Sequence, residues 1–149
     1  MQPRMRLGVV GVFVNSQGKL LLCQRAKEKG AWQFPQGGVD EGENLNQAIV
    51  REMKEELGTE RFAVNFEGTE TTEYFFPKDL ASSIVKKFDG QIHHWFRLSF
   101  EGNAKPILSN SDHEFNDYQW INPEEALDLV VDWKREAYQK GLRLLKLLA

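Results

Sequence analysis

Within the string REMKEEL, Glu52, Glu55 and Glu56 fall where a solvated helix would not put three carboxylates. Read as a helix at about 100° per residue from Leu45 to Leu57, the segment sets Leu45, Ala48, Ile49, Val50, Met53 and Leu57 along one apolar arc. Glu52 and Glu56 land inside that arc, roughly 20° either side of Leu45, and Glu55 sits at its edge. Gln47, Arg51 and Lys54 face the other way. Carboxylates at i, i+3 and i+4 repel one another unless protons or a cation intervene. Carboxylate oxygens clustered on a rigid helix are what a hard divalent cation takes as ligands. The spacing predicts a metal-dependent enzyme; the competing reading is a solvated helix whose glutamates pair with Arg51 and Lys54.

The residues ahead of the helix favour the first reading. Gly37 and Gly38 follow Pro35, and Gly42 precedes Glu43, so a tight loop feeds the helix start. Asn44 is the expected N-cap with Gln47 at N3, a capping-box variant, and Gly58 is the expected stop. A glycine loop entering a helix N-terminus lets the backbone approach a phosphate or a metal closely.

These residues resemble a known family. The pattern G-x5-E-x7-R-E-U-x-E-E-x-G-U of the Nudix hydrolases is met at Gly37, Glu43, Arg51, Glu52, Met53, Glu55, Glu56 and Gly58. Thr59 is the one departure, standing where the family has an aliphatic residue. Trp32-Gln33-Phe34-Pro35-Gln36-Gly37-Gly38 is similar to a run in two related subfamilies, the asymmetrical diadenosine tetraphosphate hydrolases and the bacterial RNA 5′-pyrophosphohydrolases. Gly90–Phe96 resembles their GQ-x-x-K-W-F segment, with His94 in place of the lysine. Glu114-Phe115 with Trp120, and Val131–Tyr138, resemble two further runs, so the likeness spans most of the chain.

The resemblance implies an α+β fold, a Nudix-type α/β/α sandwich with a mixed β-sheet between helices. It implies Mg²⁺ as cofactor, with Mn²⁺ as the alternative, and attack of water on a phosphorus within a nucleoside-linked polyphosphate. Glu52 and Glu56 would be the principal metal ligands, with Glu55 beside them, the Gly37 carbonyl as a further ligand and Glu114 as an extra acidic group. The general base would be Glu52, Glu56 or Glu114. Arg51 would pair with Glu43 to hold the loop against the helix. Candidate substrate contacts are Arg6, Gln36, Tyr74, Lys86 (from the basic cluster Lys78, Lys86, Lys87), His94 and Phe115. Tyr74 and Phe115 are the expected adenine-stacking aromatics; Trp32, Trp95, Trp120 and Trp133 are expected in the core. His93 and His94, adjacent on a strand, must point to opposite faces, and the alignment selects His94.

At 149 residues and 41% hydrophobic, the chain is expected to form a single domain, residues 1–149. No run suits a membrane span or a signal peptide, so a soluble cytoplasmic protein is expected. Cys23, the lone cysteine, reads as a buried structural thiol. A net charge of −3 argues against tracking long nucleic acid but not against a small polyanion held through metal. Strands are expected at Leu7–Val14, Lys19–Gln24, Ala63–Tyr74, Gln91–Phe100 and Tyr118–Ile121, with a hairpin turn at Asn15–Gly18. Asn122-Pro123 opens one helix, and another runs from Asp132 to Leu148. The acidic balance, His94 and the NPEEALDLVVDWK helix entry favour a dinucleoside polyphosphate substrate, diadenosine tetraphosphate cleaved asymmetrically to ATP and AMP. The alternative substrate is the RNA 5′ end, trimmed from triphosphate to monophosphate. A non-catalytic nucleotide-sensing domain would have lost glutamates from the motif, and none is lost.

Overall fold

The computed structural model describes residues 2–80 and 82–149. Strands β1 (Met5–Phe13), β2 (Leu20–Arg25), β3 (Trp32–Gln33) and β4 (Gln36–Gly38) precede helix α1 (Leu45–Leu57). Strands β5 (Phe62–Phe75), β6 (Gly90–Phe100) and β7 (Phe115–Ile121) lead to helices α2 (Pro123–Leu129) and α3 (Asp132–Leu144). They build a four-stranded sheet in the order β4-β1-β6-β5 and a three-stranded sheet in the order β3-β2-β7. The larger sheet is mixed, because β1 and β6 run parallel while the other pairs are antiparallel.

The expected hairpin between β1 and β2 forms only its turn. Gly18 takes φ 75° and donates its N–H to the Asn15 carbonyl at 3.0 Å, but beyond the Val14–Leu20 bridge the two strands part into different sheets. Apolar runs fit that parting, because both strands are covered on both faces. Val9, Phe13, Leu21 and Cys23 point into a core with Ala48, Ile49, Met53 and Leu57 of α1. Val10, Val12, Leu20 and Leu22 point the other way, into a core with Ala126, Tyr138 and Leu142 of α2 and α3. The layers are thus helix, sheets, helix.

Helix α1 spans the expected residues. Asn44 accepts from the Gln47 N–H while the Gln47 side chain accepts from the Asn44 N–H, and Gly58 closes the helix at φ 71°. Val50, at the far edge of the apolar arc, is exposed rather than buried. Helix α3 stops at Leu144, short of Leu148, and Lys146 turns to positive φ. At the start of α2, Asn122 donates to Glu125 at 3.5 Å instead of accepting as a cap. Strand β5 is a long edge of the mixed sheet, and its register to β6 slips twice, between Val64 and Phe66 and between Glu67 and Thr71.

Gly141 lies in the middle of α3 with the fully buried Trp95 ring against it; a Cβ there would land on the indole. Alanine is about 1 kcal/mol better than glycine inside a helix. Overpacking a core costs about 1–3 kcal/mol. Gly141→Ala should therefore lower stability despite its better helix propensity, read as a lower urea midpoint at unchanged slope.

Candidate active site

One cavity of about 400 Å³ opens where the glycine loop, α1 and the N-terminal end of α3 meet. Its acidic end is the α1 side, with Glu52, Glu55 and Glu56 joined by Asp112 and Glu114; Arg6, Arg25, Lys134, Tyr74 and Trp133 line the rest, with Glu28 among them. A smaller cavity of about 270 Å³ continues past Arg25, Trp133 and Lys134 toward Trp32 and Val130.

The acidic end follows from α1. Glu56 is 3% exposed, among apolar neighbours, and burial pushes its carboxyl well above the usual range, reinforced by the charges of Glu52, Asp112 and Glu114. Glu52 is also shifted up, first by burial, while Arg51 pulls the other way. The Glu52 carboxylate lies against Gly37, where any Cβ would occupy its position, so the loop needs glycine there. Glu114 is exposed and reaches the same end from the residue just before β7.

Arg51 ties the loop to the helix. Its guanidinium bonds Glu43 through both carboxylate oxygens at 2.7 and 3.0 Å and donates to the Gly38 carbonyl at 2.8 Å. It also reaches Glu52 at 2.9 Å and Glu55 at 3.3 Å. The expectation that Arg51 points away from the three glutamates is thus corrected. Its long side chain bends back over the loop, so one cation serves both ends of the motif. Among the described residues, no three His, Cys, Asp or Glu side chains converge as a ready-made metal centre. The donor set still suits a hard divalent cation. Glu56, with its raised affinity for a positive charge, stands with a second carboxylate, Glu52, and the backbone of Gly37.

The other end differs more from expectation. Arg6 lies over Gly38, where a Cβ would meet its guanidinium, and lines the cavity with Gln36. Tyr74 lines it too, but its ring is enclosed by Trp133 at 5.2 Å, His93 at 5.4 Å and Phe76 at 6.1 Å, so what it offers is its hydroxyl. Burial pushes that phenol up to about 12. Phe115 is not a stacking platform. Alternation along the strand that turns Glu114 to the cavity sends Phe115 into the α1 core, 3% exposed. His94 lies outside the cavity lining, and His93 is the histidine packed against Tyr74. Burial, with Lys134 and Arg6 nearby, pulls His93 down to about 3, so its ring is neutral. Lys86 is exposed and outside the lining; its neighbour Ile84 faces the cavity instead.

Lys134, Arg25 and Gln91 are cavity residues that the sequence reading did not single out, and Trp133, expected in the core, is instead a half-buried part of the cavity wall. Lys134 is buried, donates to Gln33 at 3.2 Å, and stands 5.2 Å from the Trp133 ring centre and 5.9 Å from that of Tyr74. Burial and Arg25 pull its ammonium down to about 8. The signal was present, because Lys134 sits on the same helical face as Ala137, Tyr138, Gly141 and Leu142. The test that exposed Glu56 on α1 finds it too.

A model described as the NUDIX domain matches residues 4–141. The chain belongs to the Nudix family. The RNA pyrophosphohydrolase of a Nitratiruptor species is 33% identical over 149 residues, covering 97% of this chain and 96% of that relative. The RNA pyrophosphohydrolase of Novosphingobium aromaticivorans is 37% identical over 139 residues, covering 88% and 86%. Among solved structures, the E. coli dihydroneopterin triphosphate pyrophosphohydrolase matches with TM-score 0.72 at 21% identity, over 94% of this chain and 97% of that one. A C. elegans Ap4A hydrolase matches with TM-score 0.64 at 21% identity, over 96% and 98%. These two likenesses show a shared Nudix fold. No helix among the described residues is long and apolar enough to cross a membrane.

The Arg51–Glu43 pair gives a pH-dependent prediction. The Arg51 hydrogen bonds hold the Glu43 carboxyl down at about 2 from its ordinary 4.5. A depressed carboxyl contributes stability above the ordinary value and loses it as pH falls toward the folded one. Arg51→Ala should lower both activity and melting temperature at neutral pH. The gap from wild type should narrow between about pH 4.5 and 2. Melting curves across that range check this; a pH-independent gap would mean the ion pair is not its source.

Proposed function

We propose that this Nudix hydrolase is an RNA 5′-pyrophosphohydrolase, taking a 5′-triphosphate end with one water to a 5′-monophosphate and pyrophosphate. The observation that carries this reading is one cavity that sets the α1 carboxylates, Asp112 and Glu114 in the same lining as Arg6, Arg25, Lys134 and the aromatic rings of Tyr74 and Trp133. Such a cavity suits a phosphate chain held through a divalent cation and a nucleoside held beyond it. The relatives at 33% and 37% identity, both named RNA pyrophosphohydrolases, support it over the diadenosine tetraphosphate substrate favoured from sequence. The Ap4A hydrolase likeness, at 21% identity, supports the fold alone. The inward displacement of Phe115, one of two expected adenine platforms, weakens the dinucleotide reading further.

Mg²⁺, bound by Glu52, Glu56 and the Gly37 carbonyl with Glu55 and Glu114 nearby, would neutralise charge on the phosphate oxygens and acidify the attacking water. The remaining work falls to side chains of this chain. Arg6 and Lys134 draw the phosphate chain across the cavity, and Trp133 with Arg25 flanks the space for the first nucleosides. Glu52, Glu56 and Glu114 are the candidates to take the proton from water, and of the three Glu56 is the buried one.

Glu56→Gln should cut kcat by roughly 10²–10⁴-fold with the fold retained, the scale of losing a charge-stabilising or acid–base group. Near-normal turnover in that variant would make Glu56 a bystander.

Substrate choice is read from kcat/KM for a short triphosphorylated RNA and for diadenosine tetraphosphate at one salt concentration. A ratio of about tenfold or more toward RNA is expected, with affinity falling as salt rises. A ratio of that size toward the dinucleotide would overturn the RNA reading.

A further inference from the structure

Three side chains form one row across the mixed sheet. Arg6 of β1 is in register with Gln91 of β6, Gln91 with Tyr74 of β5, and all three line the cavity. The side-chain oxygen of Gln91 lies 2.7 Å from Nε2 of His93, a fully buried residue on the same face of the same strand. An amide oxygen can only accept, so the imidazole carries its proton on Nε2 and donates it. Nδ1 is then the bare acceptor nitrogen, and among the described residues it is the buried side-chain polar atom without a partner. A proton there would bury an unpaired N–H, so the orphaned Nδ1 fits the same tautomer. Gly8 makes room for the ring, since a Cβ at that position would come within 3.0 Å of its Cδ2.

With its oxygen held from below, the Gln91 side chain keeps its NH2 for the cavity. A second relay sets Tyr74 in the same sense. The Tyr138 hydroxyl donates to Gln36 Oε1 at 2.6 Å, and Gln36 Nε2 donates to the Tyr74 hydroxyl at 3.1 Å. The Tyr74 oxygen accepts inside the fold, and its proton is left for the cavity.

We propose that Gln91 contacts the substrate, its Nε2 donating to an anionic oxygen of the phosphate chain, and that His93 is the positioning residue that fixes this donor polarity. The assignment rests on reading the cavity as a polyphosphate site. Arg6, Gln91 and Tyr74 then present three donors side by side to a polyanion. A flipped Gln91 amide would set a carbonyl oxygen against the phosphates, and the Nε2–H of His93 is what forbids the flip.

The test is a double-mutant cycle with inorganic tripolyphosphate as the probe, its binding measured by calorimetry in the presence of Mg²⁺. His93→Phe keeps a ring without the donor, Gln91→Leu removes the amide, and His93→Gln offers an Nε2 donor of similar reach. Each of the first two should weaken binding about tenfold, and the double variant should bind no more weakly than Gln91→Leu alone. His93→Gln should recover most of the loss. Kinetics on triphosphorylated RNA should show the same loss in KM, with kcat within about twofold. Losses that multiply in the double variant, or unchanged binding in both singles, would overturn the assignment. Should His93→Phe not fold, the Gln91 side-chain amide resonance in the wild-type protein decides: it must move on adding tripolyphosphate, and a stationary signal overturns the contact. If the cycle shows the coupling with tripolyphosphate yet the wild type turns over no triphosphorylated RNA, the substrate reading falls and the roles of Gln91 and His93 stand.

Discussion

The Arg51 guanidinium is the interaction on which the acidic end of the cavity depends. It converts a glycine loop and a helix, joined by a short connection, into one rigid body by bonding Glu43, the Gly38 carbonyl and Glu52 together. Without that clamp, Gly37 and Glu52 would have no reason to remain in contact, and the loop backbone would wander relative to the helix carboxylates. A lysine could not replace it, because several donors in a fixed planar fork are used at once. The clamp also explains why a helix can present three carboxylates on one side without unwinding. Repulsion among them is offset by a delocalised cation at their edge, and burial together with the neighbouring carboxylates holds the Glu56 carboxyl well above the usual range.

Much of this was legible in the sequence because it is local. The span of α1, its caps and the placing of Glu52 and Glu56 within an apolar arc all follow from helical geometry acting on neighbouring residues. The strands of β1 and β2 were legible for the same reason, but the parting of the two into separate sheets was not. A turn such as Asn15–Gly18 fixes how the chain reverses; which strand each arm then pairs with is decided by distant partners, β6 and β7. The cationic end was the least legible part. It is assembled from β1, β2, β5, β6 and α3, and its composition depends on which face of each strand turns inward. A shift of one position separates His93 from His94 and Glu114 from Phe115, and pattern matching chose His94 and gave Phe115 a substrate role beside the acidic Glu114.

Charge within the cavity is graded rather than uniform. Glu52 and Glu56 are held above the ordinary carboxyl range and Lys134 below its own, at about 8, in each case first by burial. Under the function proposed above, a polyanion bound together with a divalent cation would favour the charged forms of all three.

The edge formed by β5 has a consequence of a different kind. Fourteen residues of strand with one side unpaired would ordinarily be a template on which another chain could add a strand. Here the two slips of register break the ladder into short runs, and Glu67, Glu70 and Glu73 stand exposed along it. A neighbouring molecule laying its own edge alongside would meet like charges and a backbone that twists out of phase every few residues. Protection against self-association is thus written into the same strand that supplies Tyr74 to the cavity. Substitutions that smooth β5 for stability would trade that protection away.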